Sequence, residues 1–599
     1  MESQQSYHRT LYYYFLPSFR FAVLYYRRTL GERDKLNLKK NKKKLLISVT
    51  SAIFITLLFV SPTLGNSPTP PIKPPSAVPT LHIASVDSVV VPLDPSFDPN
   101  TGGVPFCSSA SVGSIICYPP SFLKTAYGFP SAPRQGRALD GTGSTIVIVD
   151  AFGSPTIQSD LNTFDTTFGI PATTVTILCG PTWTGAATDN CPVKTIADLT
   201  NAPNAALCGA AGWAEETTLD VTMSHSLAPG AHIVLVVAND CFDSSLYTAE
   251  MAVVNQRKYD GSIMSQSFGE PDDQATCKAL DPTQTLCVAR DPTLLNLPNS
   301  VFQTAQEHQW TVIASSGDDG ANENARVLGT GELTPSFPAT SPLVLAAGGT
   351  MGNPYGGQYG KPPGPSGTNT CAANAICNTG LVVINGGATG CTTAARPGVP
   401  SSCFPVGYGG EGAWNEFNTF GLGTSTGGGI SMLYSRPDYQ SHTPNQYTTL
   451  LGLTVVATGR TTPDVSFNSA IQGGFLAYLG FLSPARWAVF GGTSAASPAW
   501  AAVIALLDQA NGGPVGFINP AIYNLGASES AFGFGQGNNQ PSGTPFHDVT
   551  SGNDSDTAGT YGYDGYLAMR GYDLTTGWGS PNVSVFIQAI QQFLQQGGP

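Results

Sequence analysis

Residues 144–149 read Ser-Thr-Ile-Val-Ile-Val, a run in which polar and apolar residues do not alternate. A strand of that kind is stable only where both faces of its sheet are covered. Similar runs recur at residues 232–237, 262–265, 311–315 and 343–347, with helix-like stretches at 219–227, 246–257 and 300–308 between several of them. Strands alternating with helices in this way predict an α/β fold, a doubly wound, mostly parallel sheet flanked by helices. Two segments break the pattern. Residues 351–430, rich in Gly, Asn, Thr and Cys, read as long disulfide-held loops, and residues 541–582 as a polar, Gly- and Asp-rich stretch before an amphipathic helix at 583–594.

Ahead of the α/β region the chain is different in kind. Residues 1–44 are basic and aromatic and end in Lys39-Lys40-Asn41-Lys42-Lys43-Lys44, and an apolar run fills 45–60. This is the layout of a secretory signal, although residues 45–64 are also long enough to span a bilayer. Residues 1–65 are read as an export signal or membrane anchor, with membrane contact expected only if the segment is retained, and the rest of the chain as secreted. Residues 66–80 are rich in Pro, Ser and Thr, so 66–116 is read as a linker with a short N-terminal extension.

The net charge is −13, yet residues 1–65 hold 11 of the 27 Lys and Arg and only 3 of the 40 Asp and Glu. The remainder is therefore strongly acidic and has no basic stripe to engage phosphates, which excludes nucleic acid as a partner. With so few cations, protonating the carboxylates in acid leaves little repulsion to expand the fold. Twelve cysteines, none in a C-x-x-C pair, argue against a zinc ribbon or a thioredoxin motif. They fall into the local couples Cys107/Cys117, Cys179/Cys191, Cys208/Cys241, Cys277/Cys287, Cys371/Cys377 and Cys391/Cys403. That spacing fits disulfides made outside the cytosol, the neighbouring couples being one connectivity among those an even count allows.

Chemistry concentrates at Gly491-Gly492-Thr493-Ser494-Ala495-Ala496-Ser497-Pro498, which leads into the apolar run 499–507. Small neighbours let a substrate backbone approach Ser494, and a helix start presents unpaired N–H groups beside its hydroxyl. A serine is weak without a base. None of the seven histidines lies in a His-Gly-Thr-His context, although Val147-Ile148-Val149-Asp150 resembles the strand that carries the aspartate of subtilisin-like proteases. A better base lies in Ala214-Glu215-Glu216-Thr217-Thr218-Leu219-Asp220, where a helix stacks Glu216 and Asp220 on one face. Two close carboxyls share a proton and split their apparent pKa values, so one can act as base in acid, where imidazole is locked as imidazolium. The same pattern also decorates ordinary helix starts. Finally, Ala314-Ser315-Ser316-Gly317-Asp318-Asp319-Gly320 takes a strand into an acidic turn. Such a carboxylate lies where α/β sheets bind ligands, though Asp-Gly turns are common.

Together these segments resemble the sedolisin family, serine-carboxyl peptidases of subtilisin-like fold, from about Tyr118 to Pro581. Further matching segments follow in order. They include Ala126-Tyr127-Gly128-Phe129-Pro130, Ser265-Gln266-Ser267-Phe268-Gly269, Gly348-Gly349-Thr350, Ser425-Thr426-Gly427-Gly428-Gly429 and Pro463-Asp464-Val465. The resemblance implies that residues 117–599 form a peptidase domain in which Ser494 attacks the scissile carbonyl and Glu216 takes its proton. Asp220 would orient Glu216, and Asp318, protonated in acid, would donate to the oxyanion, with Asp319 as the alternative there. It also implies one structural Ca²⁺ in a C-terminal calcium-binding region. The side chains of Asp548 and Asp573 and the backbone carbonyls of Val549, Met569 and Gly571 would hold it, a hard-oxygen set suited to calcium.

The chain departs from the family pattern in several places. Asp150 stands where relatives often have Glu, Phe268 where many have Trp, and residues 371–403 are an unusual Cys-rich insertion. About 50 residues separate the export segment from the family-like core, too few for the prodomain members usually carry. The expected function is a secreted, monomeric, acid-active endopeptidase that cleaves proteins or peptides through an acyl-enzyme. The alternatives are a tripeptidyl-type exopeptidase, its cleft closed by the insertion, and a catalytically silent surface-binding protein on the same fold.

Overall fold

The computed structural model describes residues 89–597 apart from 100–105, 110, 132–137, 180–190, 273–294, 324–332, 353–388, 392–402, 406–407, 409, 418–422, 532–542 and 557–561. The export segment, the linker, the couples Cys277/Cys287 and Cys371/Cys377, and most of the 371–403 insertion lie outside the described residues.

Three short strands come first: β1 (Val89–Pro92), β2 (Phe106–Ser109) and β3 (Gly113–Tyr118). The expected alternation follows with β4 (Thr145–Ala151), α1 (Ile157–Phe168), β5 (Thr176–Cys179), α2 (Ala210–Leu227), β6 (His232–Ala238) and α3 (Asp243–Val254). It continues with β7 (Ile263–Gln266), α4 (Asn296–Glu307), β8 (Thr311–Ser315) and β9 (Leu345–Met351). Beyond these lie β10 (Gly412–Ala413), β11 (Val465–Asn468), β12 (Gly474–Leu479) and β13 (Arg486–Gly491). Three helices close the chain: α5 (Thr493–Asn511), α6 (Asn519–Ala531) and α7 (Val583–Gln595).

The central sheet runs β10-β9-β8-β7-β4-β6-β5, with β11 also paired to β9. Every pairing is parallel except β9 with β10. Every residue of β7, β8 and β9 is buried, as apolar runs without alternation require. The chain leaves β4 for the edge strand β5, returns through β6, and then crosses to β7 on the other side of β4. That reversal lies at the carboxyl ends of β4 and β7, the place where α/β sheets hold ligands.

A second sheet has the order β1-β13-β12-β3-β2. Residues 89–116, read from the sequence as extension, thus supply two strands and most of a third to the sheet that contains β13, the strand just ahead of Ser494. Strands of four to six residues with weak alternation give little periodic signal. Disulfides join Cys107 to Cys117, Cys179 to Cys191 and Cys208 to Cys241, three of the expected couples. Cys391 lies opposite Cys403 in an antiparallel pair.

Helix α2 packs against α5, α1, β4 and β12, and nearly all its residues from Trp213 onward are buried. It begins nine residues before the stretch that reads as helical in the sequence, because a helix covered on all sides carries no amphipathic stripe.

Around β9, β11 and α6 the fold is tied by a fully buried ion pair. Asp464 receives Arg460 Nη2 at 2.6 Å and Nη1 at 2.7 Å, the Tyr523 hydroxyl at 2.5 Å and the Ala346 N–H at 2.7 Å. Removing one partner leaves the other charge buried and unpaired, at a cost of about 3–5 kcal/mol. Asp464→Ala should lower the unfolding free energy by that much in a urea titration. A change near zero would mean that the pair does not hold these elements together.

Candidate active site

Strand β13 delivers the chain to Gly492, whose φ of 104° is a conformation that favours glycine. The Gly492 N–H donates to the Ser469 carbonyl at 2.7 Å, and α5 begins at the next residue. Ser494 therefore sits in the first turn, fully buried. The helix is pinned below it by the Ser265–Ser497 hydroxyl pair at 2.9 Å and by Trp500 Nε1–H donating to the Ser466 carbonyl at 2.9 Å.

Glu216 and Asp220 lie one turn apart near the middle of α2, both fully buried, on a helix that packs against α5. They do not decorate a helix start. A third buried carboxyl, Asp150, reaches the same neighbourhood from the carboxyl end of β4. Burial pushes Asp150 up to about 7, with the nearby Thr217 hydroxyl acting in the other direction. Asp220 is pushed well above the usual carboxylate range by burial, then by the charges of Asp150 and Glu216, while the Ser267 hydroxyl acts in the other direction. Ser267, just beyond β7, lies with its Oγ 3.0 Å from Asp220 Oδ1 and 3.3 Å from the carbonyl oxygen of Ser494. The sequence placed Ser267 in a matching motif without giving it a role. Beside it, the Phe268 ring packs against Trp213 and Tyr247, and a phenyl ring, unlike an indole, carries no N–H.

Asp318 follows β8 and meets the start of α5. Its Oδ1 accepts from the Thr493 N–H at 2.7 Å and the Thr493 hydroxyl at 2.9 Å, and Thr493 Oγ1 accepts from the Gly317 N–H at 3.1 Å. The turn is strapped from outside, with the Ser425 N–H on the Asp318 carbonyl at 2.9 Å and the Gly427 N–H on the Gly317 carbonyl at 2.7 Å. A side chain at Gly317 would strike the Glu323 carboxylate, and Gly317 has a φ of 103°. The next residue, Asp319, takes the Tyr563 hydroxyl on its backbone carbonyl at 2.6 Å.

Ser494, Asp220, Asp318 and the helix face that carries Glu216 thus converge at the start of α5, beyond the carboxyl ends of the central strands. Several described histidines are engaged elsewhere. His225 is held by the Pro171 carbonyl and Asp165, His232 by Thr176, His308 by the Val254 carbonyl, and His547 stacks on Tyr408.

The predicted metal-ligating residues form a second group. The Gly571 N–H donates to both oxygens of Asp548 at 3.1 Å, and the Met569 N–H donates to Asp573 Oδ2 at 2.8 Å. Asp573 Oδ1 accepts the N–H groups of Thr575 and Thr576 at 2.9 and 2.8 Å. Burial raises Asp548 to about 7, with the nearby charge of Asp573 adding to it, and burial raises Asp573 to about 6. Among the described residues, no hydrogen bond ends on the carbonyls of Val549, Met569 or Gly571. No cluster of three or more His, Cys, Asp or Glu able to hold a metal occurs among the described residues. Two carboxyls with three uncommitted carbonyls nevertheless form an oxygen set of the type calcium takes.

Residues 203–522 match the model of the subtilase family. Kumamolisin of Bacillus sp. is 26% identical over 482 residues, covering 80% of this chain and 65% of that protein. Sedolisin of Pseudomonas sp. is 28% identical over 330 residues, covering 54% of this chain and 42% of that protein. Mouse tripeptidyl-peptidase 1 is 25% identical over 303 residues, covering 49% and 39% respectively. The chain thus spans less than two thirds of the length of each of these relatives. The structure of Pseudomonas sedolisin, a serine-carboxyl proteinase complexed with two molecules of pseudo-iodotyrostatin, superposes with a TM-score of 0.54 at 24% identity. It covers 81% of this chain and all of that one, a likeness of fold.

A carboxyl whose pKa is raised by folding keeps its proton in the native state after the unfolded chain has lost it, so its stabilising effect is complete below the unfolded value and disappears as pH rises through the folded one. For Asp150 that window runs from 3.8 to about 7. The protein should therefore melt at a lower temperature at pH 7 than at pH 4, and Asp150→Asn should flatten the slope. An unchanged slope in the variant would show that Asp150 is not among the groups responsible.

Proposed function

The chain belongs to the subtilase family, on its sedolisin branch, and from that premise we propose that it is an acid-active serine-carboxyl endopeptidase that cleaves protein chains through an acyl-enzyme. The observation that carries this reading is the approach of carboxyls to the start of α5 from two sides, Asp220 through Ser267 and Asp318 through Thr493. Ser494 attacks the scissile carbonyl while Glu216 accepts its proton, and Asp220 holds Glu216 in place and relays the proton to the leaving amine. Because Asp318 Oδ1 already accepts two hydrogen bonds from Thr493, the proton it carries in acid belongs on Oδ2, which then donates to the oxyanion. Water completes the cycle by the same route. Protein or peptide substrates and a monomeric state go with this reading. The three disulfides support export to an oxidising compartment.

Relatives named as tripeptidyl-peptidases support a second reading, removal of short peptides from free N-termini. On a denatured protein at about pH 3–4, the chain should release fragments of varied length under the first reading and uniform tripeptides under the second. Ser494→Ala should lower the rate by about a thousandfold or more. Cleavage by the variant at the native rate would remove the hydrolase reading altogether.

Asp548 and Asp573, with the carbonyls of Val549, Met569 and Gly571, are the proposed holders of one structural Ca²⁺, which would neutralise two carboxyls whose ionisation burial opposes. At calcium about 100-fold above its dissociation constant, the stabilisation is about 2.7 kcal/mol. EDTA should lower the melting temperature at neutral pH, and Asp548→Asn should abolish that response. A melting curve indifferent to EDTA would contradict the assignment.

A further inference from the structure

Ser267 is fully buried, and its hydroxyl touches both Asp220 Oδ1 and the carbonyl of Ser494. The second contact exists because of a gap in the helix. Inside α5 the Ser494 carbonyl would ordinarily accept from the N–H four residues further on, but that residue is Pro498, which has none. The proline leaves a carbonyl open on the nucleophile's own residue, and Ser267 reaches it from the end of β7. We propose that Ser267 is a positioning residue whose shared hydroxyl couples the protonation of Asp220 to the seating of Ser494. The inference rests on the acid-pair reading above.

A hydroxyl has one proton to give and can accept in turn. With Asp220 ionised, its Oδ1 is the stronger acceptor and takes the Ser267 O–H. With a proton on Oδ1, Asp220 donates to Ser267 Oγ, and the Ser267 O–H turns to the Ser494 carbonyl. The two states differ by the one proton on Asp220, taken up from or released to the acid pair and solvent, while Ser267 keeps its own proton and only changes the acceptor it serves. In acid the line from Asp220 through Ser267 anchors the first turn of α5. As the acid ionises, that anchor is withdrawn.

The titratable groups facing Asp220 are Asp150 from β4 and Glu216 on its own helix. From β7 and α5 come the neutral Ser267 and Ser494. The other elements packed on α2 bring charges to other parts of it. Asp165 of α1 pairs with His225, and Lys124 of the helix Pro120–Ala126 shares a cavity with Leu227. Exposed Asp198 is bound to Thr195, His232 begins β6, and β12 carries Tyr478.

The test is the pH dependence of kcat and KM on a quenched fluorescent peptide, using the full chain. Ser267→Ala should lower kcat about ten- to a hundredfold with KM within about twofold, and shift the limb that reports the acid pair upward by about one pH unit, because the Asp220 anion has lost a donor. Ser267→Thr, which keeps the hydroxyl, should restore much of both. If the alanine variant does not fold, Ser267→Cys, close in size and a poor donor, gives the same readout. Unchanged kcat and profile would overturn the proposal. So would an activity loss without movement of the limb that Ser267→Thr shares, which is the mark of a merely structural role. If Ser494→Ala were fully active, the acid-pair reading itself would fall. If that variant is dead and Ser267→Ala matches the native enzyme, only the role of Ser267 falls.

Discussion

Burying carboxyls together without a cation is the constraint on which the site depends. None of the influences acting on Asp150 or Asp220 is a positive charge, and burial is the largest for both. Desolvation and mutual repulsion then leave one way to satisfy the group, which is to keep protons in it. A site built this way is stable in acid and becomes strained as protons leave. The surrounding fold suits that condition. Helix α2 is covered by strands of two sheets and by several helices, so water does not screen the acids from one another. The buried Arg460–Asp464 pair stands apart, charge matched to charge, where rigidity between β9, β11 and α6 is needed at any pH.

The site is also joined to the C-terminal loop by a short line of hydrogen bonds. Thr426 Oγ1 donates to the Thr575 carbonyl at 3.1 Å and accepts the Gly349 N–H at 2.8 Å, and the next residue, Gly427, straps the turn that carries Asp318. Thr575 in turn is held by Asp573. A ligand that fixed Asp573 would therefore stiffen the turn beside Ser494 as well as the loop itself.

Much of this could be read in the chain, and what could not has physical reasons. The strands of the central sheet announce themselves because burial on both faces removes polar residues from them, as in β4 and β8. The nucleophile turn was legible because small residues on both sides of Ser494 run straight into the apolar stretch 499–507. The first half of α2 was not, since a helix buried on every side lacks periodicity, and β1 to β3 were too short to signal. Ser267 could be placed in a motif but not given a partner. Its importance depends on a carbonyl freed by a proline 231 positions away, a relation made only by the fold. Asp150 was visible as an acid at a strand end, while its proximity to Asp220 came from the pairing of β4 and β6 and the packing of α2 across them.

The central claim is that a carboxyl, and no imidazole, deprotonates Ser494. It is tested most directly by the pre-steady-state burst of acyl-enzyme as a function of pH, in the native chain and in Glu216→Gln. A carboxyl base predicts a burst that is fast at about pH 3–4 in the native chain and absent in the folded variant. A burst that survives the substitution, or one that grows only as pH rises through about 6.5 as an imidazole loses its proton, would contradict the account.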